Sequence, residues 1–334
     1  MRIGLTFNLR KSFSERNSVF DSPETIENIK RALERKGHRV KLYEAGSETL
    51  FYLLSLDRPQ IVFNIAEGKN GTYGEAYVPS MLDELKIPYT GSSALAVSLS
   101  VNKVATKMIM QSANVSAPKL YQFITTPNEE IRNIDSFPVI VKPVFEGSSI
   151  GISSKSICYS MEDVSISALR IFQRLKRPVM IEEFIEGTEI TVGVIGNFPP
   201  KMLPLLEIDF SPLNKRESKA SKGIQTYKFK ADYSEKAQYF LPARVSEKVI
   251  KKIEENVIKA FRVLNLRDVA RFDLRIDKNG TPFILEVNAV VGLERDHSDF
   301  PRVYKLTGKT YEDLINDILE SALERIKRNE RVVF

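Results

Sequence analysis

Residues 270–289, ARFDLRIDKNGTPFILEVNA, set two strand-like runs on either side of Asn279-Gly280, a two-residue hairpin signal. If the turn is that tight, position 278 pairs with 281, which puts Asp273 opposite Glu286 and Arg271 opposite Asn288. Alternation along a strand sends Phe272, Leu274 and Ile276 to one face and Arg271, Asp273 and Arg275 to the other. Directly opposed carboxylates repel across a ladder. A hard divalent cation reverses that penalty, because Mg²⁺ accepts a few carboxylate oxygens and keeps waters and substrate phosphates as its other ligands. Asn288 adds a neutral oxygen, and Arg271 a fixed cation for an anionic substrate or transition state. Taken alone, these residues fit an edge hairpin with a solvated charged face equally well.

The first hundred residues alternate between the strand and helix periods. Strand RIGLTF precedes a helix from about Ser22 to Lys36, with Ser22 as N-cap, Pro23 at the first position and Gly37 as terminator. HRVKLYEA, a helix near 47–57, the strand PQIVFNI and a helix near 73–86 follow, ending before IPYTGS. Strand, helix, strand at this spacing predicts an open α/β domain over 1–100, built on a parallel sheet. Beyond it the pattern is α+β. A basic helix (NKVATKMIMQSA), strands YQFI and PVIVKPV, a glycine-serine loop and a helix at 161–175 make a second unit over 101–180. Strands VMIEEFI and EITVGVIG, a polar segment at 211–239, a helix at 245–264, the hairpin and a helix near 310–328 make a third, over 181–334.

Composition narrows the chemistry. At 334 residues and 43% hydrophobic the chain can bury the cores of two or three domains. No run approaches the roughly 18 apolar residues of a membrane span, and MRIGLTFNLRK reads as a first strand rather than a signal peptide, so a cytoplasmic protein without a membrane partner is expected. A single cysteine, Cys158, and two histidines, His38 and His297, exclude a disulfide, a cysteine cluster and a multi-histidine zinc site. Any metal must be held by oxygen. A net charge of +6 from 49 basic and 43 acidic residues suits an anionic ligand such as a nucleotide and is too slight to argue for nucleic acid.

VIVKPVFEGSSIGI places Lys142 at a strand end and follows it with Gly147, Ser148, Ser149 and Gly151, small residues whose backbone N–H groups can approach phosphates. No Walker or GxGxxG motif is present. Lys103 in VNKVATK offers a second ammonium, and VMIEEFIEGTE offers Glu182, Glu183 and Glu189, acids that can accept from an adenine amino group and ribose hydroxyls. The basic residues of 211–239 suggest a flap over an anion, although an ordinary solvated loop explains them as well.

In this order, VNKVATK, VIVKPVFEGSSIG, IEEFIEGTEITV, ARFDLRID and ILEVN resemble the ATP-grasp superfamily, and specifically the D-alanine–D-alanine ligase family, over nearly the whole chain. The resemblance implies an ATP-grasp fold, an N-terminal α/β domain followed by two α+β domains that clasp ATP. It implies that Lys103, Lys142 and Ser149 meet ATP phosphates, and that Glu182, Glu183, Ile185 and Glu189 line the adenine and ribose pocket. Asp273, Glu286 and Asn288 would hold two Mg²⁺ ions, with Mn²⁺ as a substitute. Arg271 and the N–H of Gly292 would stabilise the tetrahedral intermediate, Ser148 and Tyr233 would order the closing loops, and Ser298 would bind the second amino acid's carboxylate. The implied partners are ATP and amino acids, with a homodimer through the N-terminal domain.

Departures from the family pattern cluster at the first amino-acid subsite. The usual GGxSxE segment is replaced by FNLRKSFSERNSVFDSPETIENI, where Asp21 and Glu24 are the nearest acids, and Glu67-Gly68 stands for the usual HG. Asp232 stands where a lysine is usual, and Val291-Gly292 where Pro-Gly is usual. The expected function is therefore dipeptide ligation through an acyl phosphate, with D-alanine first among candidate substrates. A ligase for L- or mixed amino acids or another amine acceptor, and a non-catalytic ATP-binding regulator, are the alternatives.

Overall fold

The computed structural model describes residues 1–11, 20–68, 72–213, 223, 224, 226 and 237–329. Tyr233, expected to order a closing loop, and most of the 211–239 segment lie outside them.

The N-terminal unit runs β1 (Arg2–Phe7), α1 (Pro23–Glu34), β2 (Arg39–Glu44), α2 (Leu50–Asp57), β3 (Ile61–Asn64) and, after a short 3₁₀ turn, α3 (Tyr77–Glu84). Ser22 caps α1 by accepting the N–H of Thr25, and Pro23 opens the helix. The strands form a parallel sheet in the order β2-β1-β3, as the alternating pattern requires. Two helices, α4 (Ala94–Val101) and α5 (Lys103–Ser112), lead into β4 (Leu120–Ile124), β5 (Val139–Pro143), β6 (Ile157–Cys158), α6 (Met161–Leu175) and β7 (Val179–Glu183). Here the sheet is antiparallel, in the order β4-β7-β5-β6. Because β7 pairs with β4 and β5, this unit extends to Glu183, past the boundary at 180 that the sequence suggests.

The remainder comprises β8 (Thr188–Ile195), β9 (Lys201–Met202), β10 (Leu206–Asp209), β11 (Gln238–Phe240), α7 (Glu247–Val263), β12 (Val269–Ile276), β13 (Pro282–Asn288), α8 (Asp299–Lys305) and α9 (Tyr311–Asn329). Its sheet runs β11-β10-β8-β12-β13, with β9 added to β8. The units are not separate bodies. Ile315, Ile318 and Leu319 of α9 share one buried core with Ile3, Leu5 and Phe63 of the first sheet and Ile26, Ile29 and Leu33 of α1. Val97 of α4 belongs to the core beneath β12 and β13. A buried ion pair adds to the join. Arg325 of α9 donates to both oxygens of Asp268, at 2.9 and 2.8 Å, and to the carbonyl of Tyr89 at 2.9 Å.

The hairpin departs from the tight turn. Asp277 pairs with Thr281, leaving three loop residues, and Gly280 takes the positive φ of 72° that such a loop needs. The carboxylate of Asp277 selects this longer form by accepting the N–H groups of Asn279 and Thr281 at 2.9 and 2.7 Å. A β-bulge between Asp273 and Leu274 then restores the register, since Leu274 pairs with Ile284 whereas Asp273 pairs with Glu286. Two one-residue offsets cancel. Asp273 does face Glu286 and Arg271 does face Asn288, for a reason the sequence does not display.

Candidate active site

The two antiparallel sheets face one another across a slot lined by Lys142, Glu182 and Glu183 of one, with Ser149 and Ile185 beside them, and by Glu189, Asp273, Arg275, Leu285 and Glu286 of the other. The bulge makes the second wall, because it leaves both Leu285 and Glu286 partly exposed, while Ile284 and Val287 remain buried. Beside the slot lies a cavity of about 870 Å³ bordered by Asp21, Glu67, Glu75, Ser148, Asn288, Gly292 and Ser298. Arg271 and Glu286 belong to both. A group bound in the slot and a group bound in the cavity therefore meet at these two side chains.

Around them the polar contacts are dense. Asp273 accepts from Thr191 Oγ1 at 2.8 Å, from Arg271 at 2.8 and 3.2 Å, and from the Asn288 amide at 3.2 Å. Glu286 lies 2.9 Å from Lys103 Nζ. Lys103 lines neither space, and its ammonium also donates to the carbonyl of Glu146 at 2.7 Å, so it reaches the site through Glu286. Among the described residues no three His, Cys, Asp or Glu side chains gather as a metal-ligand group. The donor set that does converge, two carboxylates on paired strand positions plus the Asn288 amide, is all hard oxygen and fits Mg²⁺ or Mn²⁺. At present Arg271 and Lys103 supply the positive charge around it.

The loop after β5 divides the two spaces. Ser148 and Ser149 have φ of 48° and 60°, and this left-handed pair turns Ser148 to the cavity and Ser149 to the slot. Ser298 stands at the N-cap position of α8 without capping it by its side chain; its hydroxyl instead accepts the N–H of Glu294 at 3.1 Å. A Cβ on Gly292 would stand 2.9 Å from that hydroxyl oxygen.

Three sequence expectations change, that of Lys103 at the phosphates being the first. Glu182 does not present its carboxylate for an adenine amino group, because its two oxygens are held by Lys142 at 2.7 Å and Lys107 at 2.9 Å, all three side chains being buried. Glu24 is exposed on the first turn of α1 and does not border the cavity, whereas Asp21 does. Glu189 pairs with Arg275 at 3.0 Å, and Arg275 also donates to the Ile185 carbonyl at 3.0 Å, which stiffens the end of the slot.

Glu75 and Glu67 also border the cavity, and the sequence alone does not point to either as a cavity acid. Gly68 brings them together: its N–H donates to the buried Asn8 side chain at 2.9 Å, and a Cβ there, at φ +74°, would lie 2.1 Å from the Gly74 carbonyl oxygen. Burial pushes Asp21 up to about 7, with Glu294 adding to the rise and Arg10 opposing it. Burial likewise lifts Glu75 to about 7 against the pull of Lys103, and raises Glu67 well above the ordinary range with Glu75 and Asp21 contributing.

The family model described as "D-ala D-ala ligase C-terminus" matches residues 98–320, which takes in the slot, the hairpin and Ser298. The chain belongs to this D-alanine–D-alanine ligase family. A D-alanine–D-alanine ligase of Aquifex aeolicus is 33% identical over 299 residues, covering 89% of this chain and 94% of its own. That of Carboxydothermus hydrogenoformans is 31% identical, covering 91% and 94%. An uncharacterized protein of Sinorhizobium fredii is 31% identical, covering 90% and 87%. The fold matches the crystal structure of the D-alanine–D-alanine ligase from Bacillus anthracis complexed with ATP, with a TM-score of 0.76, 23% identity and 99% of each chain covered. The ATP-grasp architecture expected of the family is therefore the one observed.

Proposed function

We propose that the protein is an ATP-dependent D-alanine–D-alanine ligase that supplies the dipeptide for peptidoglycan synthesis in the cytoplasm. The observation that carries this reading is the meeting of slot and cavity at Arg271 and Glu286, within a chain of this family. ATP enters the slot, its base beside Glu183 and Ile185, its ribose toward Glu189, and its phosphates toward Lys142 and the Ser149 loop. Mg²⁺ held by Asp273, Glu286 and Asn288 would offset charge on the transferring phosphoryl group.

The first amino acid lies in the cavity, its ammonium against the Asp21, Glu67 and Glu75 wall and its carboxylate toward the slot, where it takes the phosphoryl group. Ser298 holds the carboxylate of the second, whose amine attacks the acyl phosphate. Arg271 and the Gly292 N–H donate to the oxyanion that forms, a role whose loss typically lowers the rate about 10²–10³-fold. The reactive intermediate requires exclusion of water, which the loop carrying Ser148 helps provide from the cavity rim.

A second reading, ligation of other amino acids or amine acceptors by the same chemistry, is favoured by the three carboxylates that crowd the first subsite. The deciding experiment offers purified protein ATP, Mg²⁺ and D- or L-amino acids singly and in pairs, recording phosphate release and product mass. Phosphate release with D-alanine and a D-alanyl-D-alanine mass supports the first reading, and selective turnover of other pairs supports the second. ATP binding without phosphate release from any pair leaves only a regulator.

A further inference from the structure

Lys107 takes no part in the roles above, yet it is among the most deeply buried charges in the protein. It follows Lys103 by one turn of α5, and this spacing sets both ammonium groups on the same helix face. Its side chain is 1% exposed and borders neither the slot nor the cavity. Its Nζ lies 2.9 Å from Glu182 Oε2, and 3.5 Å from the carbonyls of Ile284 and the bulged Leu285, just before Glu286. The other Glu182 oxygen is 2.7 Å from Lys142 Nζ, and both Glu182 and Lys142 line the slot. The order from the interior outward is lysine, carboxylate, lysine, phosphate site.

Charge decides what the rear lysine does. A buried carboxylate is costly unless paired, and its nearest cation is drawn to it. Burial lowers Lys107 to about 8 against the pull of Glu182, which leaves it mostly charged at pH 7; the triad then carries one net positive charge, presented to the slot by Lys142. Without it, Glu182 and Lys142 form a neutral pair, and the front ammonium is committed to its neighbour. Burial pushes Glu182 up, and the two lysines more than offset that, holding it below the ordinary carboxylate range.

We propose that Lys107 is a positioning residue for nucleotide phosphate: by neutralising Glu182 from behind, it leaves the charge of Lys142 to the polyphosphate in the slot. This rests on the reading that the slot binds ATP with Lys142 at its phosphates. A merely structural lysine would affect all ligands of the slot alike, whereas this role is specific to phosphate.

The test is calorimetric titration of ADP and of adenosine into the full-length protein and the variants Lys107→Met, Lys142→Met, Glu182→Gln and Lys107→Met with Glu182→Gln. Removing an opposite charge at this range shifts such an equilibrium about tenfold or more. Lys107→Met is expected to weaken ADP about tenfold with adenosine unchanged, and the added Glu182→Gln to return ADP to within about threefold of wild type. Equal loss of ADP and adenosine, or no loss of either, overturns the proposal. Should Lys107→Met not fold, Glu182→Gln alone decides: ADP binding held or tightened supports the role, and ADP weakened about tenfold refutes it. Lys142→Met separates the two claims. If it leaves ADP affinity unchanged, the ATP-site reading fails, whereas a loss with Lys142→Met but none with Lys107→Met removes this inference only.

Discussion

Replacing Arg325 by Met should destabilise the whole fold at the join between the N-terminal unit and the rest. Asp268 is fully buried and accepts four hydrogen bonds: two from Arg325, one from Asn197 at 2.8 Å and one from the Gly91 N–H at 2.8 Å. Methionine preserves much of the aliphatic packing but leaves that carboxylate with two neutral donors, and the Tyr89 carbonyl without its guanidinium. Breaking a buried pair from one side costs about 3–5 kcal/mol, and the orphaned carbonyl about 1 more. With a urea slope of about 3 kcal/mol/M, the midpoint should fall by roughly 1.5 M. Because the core runs from the first sheet into α9, a single transition is expected. Adding Asp268→Asn removes the stranded charge and should recover more than half of the loss. The assay is urea unfolding followed by far-ultraviolet circular dichroism. A single-variant midpoint within about 0.3 M of wild type, or a double variant less stable than the single, refutes the reasoning.

Other consequences are as direct. Asp21 and Glu75 stand at about 7 in the free protein, so both are largely protonated at pH 5 and ionised at pH 8. A folded-state value above the unfolded one means stability that is full at low pH and lost as pH rises toward 7, so thermal stability should decline between pH 5 and 8, less steeply in Asp21→Asn. Over the same range kcat/KM for the first amino acid should rise, since its ammonium binds the ionised form; a flat profile would remove Asp21 and its neighbours from that subsite. Glu286→Gln should abolish phosphate release by at least about 10²-fold while leaving the melting temperature near wild type, and wild-type-like turnover would sink its metal role. Gly68→Ala should lower stability by more than about 3 kcal/mol, because the new Cβ meets the Gly74 carbonyl at 2.1 Å in a left-handed backbone; unchanged unfolding would show that the loop can move aside.

The facing carboxylates were legible in the sequence because strand alternation and opposed acids leave few arrangements, and the pairing of Asp273 with Glu286 is as read. The loop was not, since a side chain's grip on its own turn, here Asp277 on Asn279 and Thr281, changes length without changing the Asn-Gly signal. Glu182 misled for a similar reason: a strand carries its acid openly, while the lysine behind it comes from α5, far back in the chain. The one available hint was the four-residue interval between Lys103 and Lys107 on a helix with an apolar face. Nothing local in GTYGEA marks Glu75 as a cavity acid; only the close approach of Gly68 to Gly74 brings it to Glu67.

The seating of α9 against the first sheet also governs the order of events during synthesis. A ribosome releases β1 to β3 early, with Ile3, Leu5 and Phe63 ready to pack, but Ile315, Ile318 and Leu319 that complete their cover arrive about 250 residues later. At about 5–20 residues per second the interval is on the order of tens of seconds, during which the nascent sheet has only α1 over that face. The first sheet to be made thus waits for α9 to be finished. A nonsense codon between β3 and α9 would leave a product whose first sheet has only part of its apolar cover, marking it for chaperones and proteases even though every residue of that sheet is present.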